Sequence, residues 1–173
     1  MLPEDLSLLA EAAAAGDDRA LRELVLATQD SVRSLCRRLG SVADAEDLAQ
    51  ETYLRALTAL PRYRGEAPVR VWLLSIARHV CADHVRRRVR RGAIDRRFRA
   101  APAVSQPEHR VAVDDLLQRL DRDQAEAFVL TQELELSYAE AAEVCGCPVG
   151  TIRSRVSRAR SALAEMVRAA DAS

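Results

Sequence analysis

Lysine is absent from this chain: all 26 basic side chains are arginine. Arginine without lysine reads equally as the mark of a GC-rich genome and as selection for forked phosphate contacts, so it decides nothing alone. Aromatic residues make up only 3% of the 173 positions, and alternating β-branched runs are missing. The periodicity is helical nearly everywhere, and the expected fold class is all-α. Glycine and proline number six each, too few for a low-complexity chain, and the 49% hydrophobic content is that of a globular protein. Such a length suits one medium domain or two small ones. No run of about 18 uncharged apolar residues occurs, and no basic segment leads into an apolar one at the N-terminus. Neither membrane insertion nor a signal peptide is expected, which places the chain in the cytoplasm with Cys36, Cys81, Cys145 and Cys147 as reduced thiols. A nucleophile beside a base, a carboxylate pair and a phosphate loop are also lacking, so neither an enzyme nor a cofactor is expected.

The formal charge is zero, which by itself argues against nucleic acid, but the charge is unevenly spread. Residues 1–62 carry 11 acidic and 7 basic groups, residues 63–101 carry 3 and 11, and residues 102–173 carry 12 and 8. The middle of the chain is strongly basic.

What is present is clearest from Leu136 to Glu165, LSYAEAAEVCGCPVGTIRSRVSRARSALAE. Ser137 followed by Glu140 is a capping box, so a short helix starts at Tyr138. Gly146 suits the left-handed position after its end, and Pro148 suits the first position of the next helix. Val149, Ile152, Val156, Ala159 and Leu163 then recur at three- and four-residue steps and pack inward. Arg153, Ser154, Ser157 and Arg158 face out. This is a helix-turn-helix with a recognition helix: arginine forks onto guanine acceptors in the major groove, and small hydroxyl residues permit close approach. Arg155 and Arg160, on the flanks, fit phosphates. The plainer alternative is a solvated arginine face on a core helix.

Earlier in the chain, a helix starting near Asp17 carries Leu21, Leu24, Val25, Thr28, Val32, Leu35 and Leu39 on one face. A second, from about Asp44 to Leu60, buries Ala45, Leu48, Ala49, Thr52, Ala56 and Leu57 and leaves Asp44, Glu46, Asp47, Gln50 and Glu51 outside. Those carboxylates favour the helix dipole and equally suit a basic protein partner. Pro61, Gly65 and Pro68 interrupt the pattern before a long helix from about Val69, which buries Val69, Trp72, Leu73, Ile76 and Val80. It ends in HVRRRVRR, where Arg86, Arg87, Arg88, Arg90 and Arg91 point all round and can track a phosphate backbone. Periodicity is lost from Gly92 to Glu108, a linker able to span roughly 55 to 60 Å. The expected organisation is therefore a unit at 1–91, a linker at 92–108 and a second, four-helix unit at 109–173.

An acidic helix, RGEAP before WLLSIAR, a basic helix end, a linker and this helix-turn-helix together resemble an extracytoplasmic-function (ECF) sigma factor of the sigma-70 family. DAEDLAQETYLRAL at 44–57 is similar to the family's region 2.2, YRGEAPVRVWLLSIARHVCADHVRRR at 63–88 to regions 2.3 and 2.4, and LSYAEAAEVCGCPVGTIRSRVSRAR at 136–160 to region 4.2. CGCPVGTIRSRV is similar in particular to actinobacterial sigma factors of the SigC type. The resemblance implies binding to core RNA polymerase, recognition of the −10 and −35 promoter elements, and help in melting DNA. Asp44, Glu46, Asp47, Gln50 and Glu51 would dock on the clamp coiled coil of the largest polymerase subunit. The flap of the second-largest subunit would be a further contact. Arg64, Gly65, Glu66 and Arg70 would take bases of the displaced −10 strand, and Arg78, His79, Arg86 and Arg87 would lie along its duplex part. His79 stands where many members have asparagine. Arg153, Ser154, Arg155, Ser157, Arg158 and Arg160 would meet the −35 element, and the linker would thread the RNA exit path. Trp72, in the apolar stripe, is assigned to the core.

A free-standing helix-turn-helix regulator is the competing reading, but it needs a dimerising surface and an effector pocket that the sequence does not display. Zinc at His79, Cys81, His84, Cys145 and Cys147 is disfavoured, since residues 79 and 81 lie about 200° apart on a helix. An anti-sigma factor as partner and closure of the two tethered units on each other both stay open.

Overall fold

The computed structural model describes residues 3–98 and 113–171, and among them every regular element is helical. The linker stretch 99–108 lies outside the described residues.

Helix α1, Pro3–Ala14, packs against α2, Asp18–Leu39. Asp17 caps α2 by accepting from the Arg19 and Ala20 amides at 2.8 and 3.2 Å. These bonds hold its carboxyl below the usual carboxylate range. Gly40 caps the helix at a position where nothing larger fits: a Cβ there would stand 2.3 Å from Leu48 Cδ1 and 2.7 Å from the Cys36 carbonyl. Helix α3, Ala45–Ala59, follows and tightens at Leu60–Arg62 into a 3₁₀ turn containing Pro61. Helix α4 begins at Val69, directly after Pro68, and runs to Phe98. It thus passes through Gly92, seven residues into the stretch read as linker.

In the C-terminal part, α5, Val113–Gln118, leads to α6, Arg122–Phe128, whose N-cap Asp121 accepts from the Asp123 amide at 3.0 Å. The five-residue π turn Val129–Glu133 widens the helix end, and Leu136 returns its amide to the Leu130 carbonyl. Glu135 then takes a positive φ of 56° and turns the chain into α7, Tyr138–Cys145. Helix α8, Val149–Asp171, completes the order.

Two apolar clusters hold these helices. One joins Ala10, Leu24, Ala56, Leu60, Val69 and Leu73 between α1, α2, α3 and α4. The other runs through both halves: Val32, Leu35, Leu48, Val71, Leu74 and Ala77 are continuous with Leu130, Ala141, Val144, Ile152 and Val156. Two apolar positions depart from the expected pattern. Leu57 is 41% exposed, because it falls about 100° beyond Ala56 and outside the strip formed by Leu48, Ala49, Thr52 and Ala56. Val149 is 40% exposed, since it opens α8 ahead of the first turn that reaches the core.

Gly40→Ala is expected to destabilise the protein by roughly 1–3 kcal/mol through overpacking, read from urea unfolding; an unchanged midpoint would contradict that steric account. The Asp17 cap is a lowered carboxyl, so its contribution is present above the ordinary Asp pKa and disappears as pH falls through the depressed value. The melting-temperature gap between wild type and Asp17→Ala should persist at neutral pH and shrink below about pH 3.9.

Candidate nucleic-acid interface

The helix-turn-helix is built as its sequence predicts at both ends of α7. Ser137 Oγ accepts from the Glu140 amide at 3.2 Å, and Glu140 Oε2 accepts from the Ser137 amide at 2.8 Å. Gly146 sits at φ 63°, where a side chain would be strained, and the Cys147 amide returns to the Ala142 carbonyl at 3.1 Å. Pro148 lies one position before α8 and accepts the first bonds of that helix from Thr151 and Ile152. Ile152, Val156 and Ala159 are fully buried, which turns Arg153, Ser157 and Arg158 to the solvent on one face. Ser154 is half-buried and donates to the Thr151 carbonyl at 2.9 Å. The two flanking arginines have internal partners: Arg155 pairs with Asp123, and Arg160 Nη2 donates to Gln132 Oε1 at 2.5 Å.

The loop ahead of α4 is stapled at both ends. Tyr63 donates its hydroxyl to the Ala67 carbonyl at 2.6 Å, and its ring lies 5.0 Å from that of Trp72 at 41°. Between them Arg64, Gly65 and Glu66 are exposed, with Gly65 at φ 70°. A cavity of about 370 Å³ opens here, lined by Arg62, Tyr63, Arg64, Glu66, Ala67 and Trp72. Trp72 is half-buried, one side in the core and the other on this cavity. Tyr63 escaped the sequence reading; the signal for it is an aromatic four residues from a carbonyl in a Gly-Pro loop.

On α4 the expected −10 residues separate into two sets. His79, Arg86 and Arg87 are exposed on the outer side. His79 Nδ1 lies 2.7 Å from the Ser75 carbonyl, which can only accept, so that nitrogen carries the proton. Asp83 receives Arg86 at 2.5 Å and Arg55 at 3.2 Å, and these two hold its carboxyl below the usual range. Arg87, four residues on, is not its partner. Arg70 and Arg78 face the other way, toward the C-terminal helices. Arg70 Nη2 donates to the Leu134 carbonyl at 2.8 Å and to Ser31 Oγ at 3.2 Å. Arg78 Nε donates to Glu126 Oε1 at 2.5 Å; burial opposes its charge, but Glu126 outweighs that and raises its pKa.

Glu46, Asp47, Gln50 and Glu51 lie on α3, and Asp44 stands at its N-cap. Asp47 and Gln50 are exposed, Glu46 pairs with Arg33 at 3.0 Å and Glu51 with Arg55 at 2.7 Å, while Asp44 Oδ2 lies 3.2 Å from His84 Nε2. Leu54 and the exposed Leu57 continue the Asp47–Gln50 stripe at seven- and ten-residue steps, so one face is acidic at its start and apolar at its end.

The cysteines are free: Cys36 and Cys81 share the core between α2 and α4, and burial pushes the Cys145 thiol up to about 12. Only Cys147 is partly exposed, beside Arg155. Mild alkylation of the folded protein, followed by mass spectrometry, should therefore label Cys147 first and leave Cys145 untouched; equal labelling would show α7 to be open.

No helix among the described residues is long and apolar enough to cross a membrane. The family models for Sigma-70 region 2 and for Sigma-70, region 4 match residues 24–91 and 110–163. The ECF RNA polymerase sigma factor SigC of Mycobacterium tuberculosis is 48% identical over 166 residues, which cover 92% of this chain and 90% of that protein. The ECF RNA polymerase sigma factor EcfG of Rhodopseudomonas palustris is 36% identical over 158 residues, 86% and 85% of the two chains. Among solved structures, CnrH in complex with the cytosolic domain of CnrY has a TM-score of 0.75 at 30% identity, covering 94% of this chain and 96% of that one. The sigma factor RpoE in complex with the anti-sigma factor NepR, from Bartonella quintana, has a TM-score of 0.71 at 29% identity, covering 86% and 96%.

Proposed function

The chain belongs to the ECF sigma factors of the sigma-70 family, and we propose that its two helical units divide promoter recognition between them as an alternative sigma factor for RNA polymerase. Under this reading it catalyses no reaction. It binds core polymerase in the cytoplasm, carries it to promoters and helps to open them. The observation that supports this best is the capped helix-turn-helix whose second helix presents Arg153, Ser157 and Arg158 exposed together.

Each surface has a physical role in this scheme. Arg153 and Arg158 fork onto base edges of the −35 element while Ser157 allows the helix to approach; Ser154 lies beside them. Arg155 and Arg160, held by Asp123 and Gln132, keep their positive charge near the flanking phosphates. At the −10 element, His79, Arg86 and Arg87 follow the duplex edge, and Arg64, Gly65 and Glu66 border the displaced strand, while Arg70 and Arg78 are held by the Leu134 carbonyl and Glu126 on the other side of α4. The cavity beside Tyr63 and Trp72 is large enough for an extruded base and offers aromatic surface for stacking. Unstacking a base costs a few kcal/mol, so a site that captures it shifts the equilibrium toward melted DNA without hydrolysis. On α3, Asp44, Glu46, Asp47, Gln50 and Glu51 steer the basic clamp coiled coil, and Leu54 with Leu57 gives that contact an apolar end. The second unit meets the polymerase flap, with residues 92–108 crossing between. A protein of the anti-sigma class, as held by the similar RpoE, completes the partner set.

The test is run-off transcription from genomic fragments by core polymerase with and without this chain, followed by mapping of start sites. Transcripts that need the chain and share two upstream elements are expected. Silence despite tight duplex binding would favour a free-standing regulator instead. Arg153→Ala and Arg158→Ala should each weaken −35 binding by roughly 1–3 kcal/mol, with the loss concentrated on promoters that keep one particular base pair. An equal loss on every sequence would make the residue a phosphate contact.

A further inference from the structure

From Val69 to Arg91 helix α4 carries a single acidic residue, Asp83, and it stands in the middle of the face proposed to meet the −10 duplex. Around the helix axis it lies about 40° from His79 and Arg87 and about 60° from Arg86. A carboxylate among phosphate-facing arginines repels DNA, so its presence there calls for a reason. Its two oxygens serve different helices. Oδ1 accepts from Arg86 Nη2 at 2.5 Å, and Oδ2 accepts from Arg55 Nη1 of α3 at 3.2 Å. Arg55 is itself fixed from behind, since its Nε donates to Glu51 Oε1 at 2.7 Å. One residue on, His84 Nε2 lies 3.2 Å from Asp44 Oδ2, a second tie from α4 to the start of α3. Arg86 and Arg55 together keep the Asp83 carboxyl charged, below the usual carboxylate range. Arg86 nonetheless leaves 62% of its side chain open to solvent.

We propose that Asp83, braced by Arg55, is a positioning residue for −10 recognition: it holds the Arg86 guanidinium in one orientation over the duplex edge. The inference rests on the sigma-factor reading above and adds to it a pair of residues that act through Arg86 rather than on DNA. Asp83 occupies Nη2 on one side and leaves the remaining donors of the guanidinium to the duplex. A free arginine on a helix surface samples many rotamers, and ordering it on binding opposes affinity; a paired arginine has lost that freedom beforehand. An ion pair between neighbouring turns of one exposed helix is too weak to do this alone. Arg55 changes that by tying the second oxygen to a different helix, so the carboxylate is held at two points. The charge of Asp83 has a further effect. It offsets the attraction of Arg86 to any phosphate, and so favours the duplex that offers the right geometry over every other one.

The test uses core polymerase loaded with the full chain as wild type, Asp83→Asn, Asp83→Glu or Arg55→Met. Its probes are a promoter fragment mapped by run-off transcription and the same fragment with the −10 element scrambled, and the quantity read is the ratio of the two affinities. Both probes meet the same holoenzyme, so any change in polymerase docking cancels in that ratio. A forked arginine separates right from wrong base pairs by roughly 5- to 150-fold. Asp83→Asn keeps the shape and removes the charge; it is expected to lower the ratio at least about fivefold, with binding to the scrambled fragment unchanged or tighter. Arg55→Met should lower it by a smaller factor, and Asp83→Glu, which still reaches Arg86, should return it to within about twofold of wild type. An equal change on both fragments makes Asp83 a simple counter-charge and overturns the proposal, as does an unchanged ratio. If Asp83→Asn loses its cooperative thermal transition, the Arg55→Met ratio decides in its place, since that variant leaves Asp83 and every proposed DNA residue intact. A wild type that starts no transcript from any fragment defeats the sigma-factor reading and the positioning with it. Wild-type discrimination that survives in all the variants defeats the positioning alone.

Discussion

Buried apolar side chains on α4 spread over an arc of about 200°, from Val69 through Leu73, Ala77 and Leu74 to Val71, and a helix of that kind has to be covered by more than one neighbour. Val69 and Leu73 pack with α1, α2 and α3, while Val71, Leu74, Ala77 and Cys81 belong to the cluster that joins α2 and α3 to α7 and its neighbours. Removing either cover would expose a row of large apolar groups to water at roughly 25 cal/mol per Å². The rest of the molecule follows from this demand. Helices α1 to α3 satisfy it from one side within the first half of the chain, and the helix-turn-helix satisfies it from the other.

That second cover explains why acidic residues occur inside an otherwise apolar segment. Arg78 and Arg70 project from the same side of α4 as Leu74, so whatever buries Leu74 has to bring acceptors with it. Glu126 and the Leu134 carbonyl do so. Pairs of this kind give little net stability against an apolar equivalent, but they discriminate sharply between arrangements, because a misplaced partner leaves a buried charge unpaired. The interface is thus specific where it is polar and cohesive where it is apolar.

The two proposed DNA surfaces differ in how they are held. On α8, burial of Ile152, Val156 and Ala159 dictates which arginines face out, and the Ser137–Glu140 box with Gly146 sets the angle between α7 and α8. On α4 the surface is divided, with His79 and Arg86 outside and Arg70 and Arg78 inside. Neighbouring residues Arg78 and His79 part company because successive helix positions are 100° apart.

The sequence by itself determined the helical class, the starts of α2, α4 and α7, the left-handed Gly146 and the outward placement of Arg153, Ser157 and Arg158 on α8, though not that of Ser154, which is half-buried. All of these rest on interactions within a few residues: caps, a proline, a glycine and a 3.6-residue period. Its reading of Leu57 and Val149 as buried failed because a period gives a face but not how wide the covering element will be. Tertiary structure alone decided the rest. Whether Arg78 meets DNA or Glu126 depends on contacts 48 residues apart, and whether Glu133 is a solvated acid or the anchor for Arg38 depends on contacts 95 apart. Local patterning carries no information over such distances. A carboxylate amid Ala125, Ala127, Val129 and Leu130 announces that Glu126 needs a partner, and only the packing of α7 on α4 names which one.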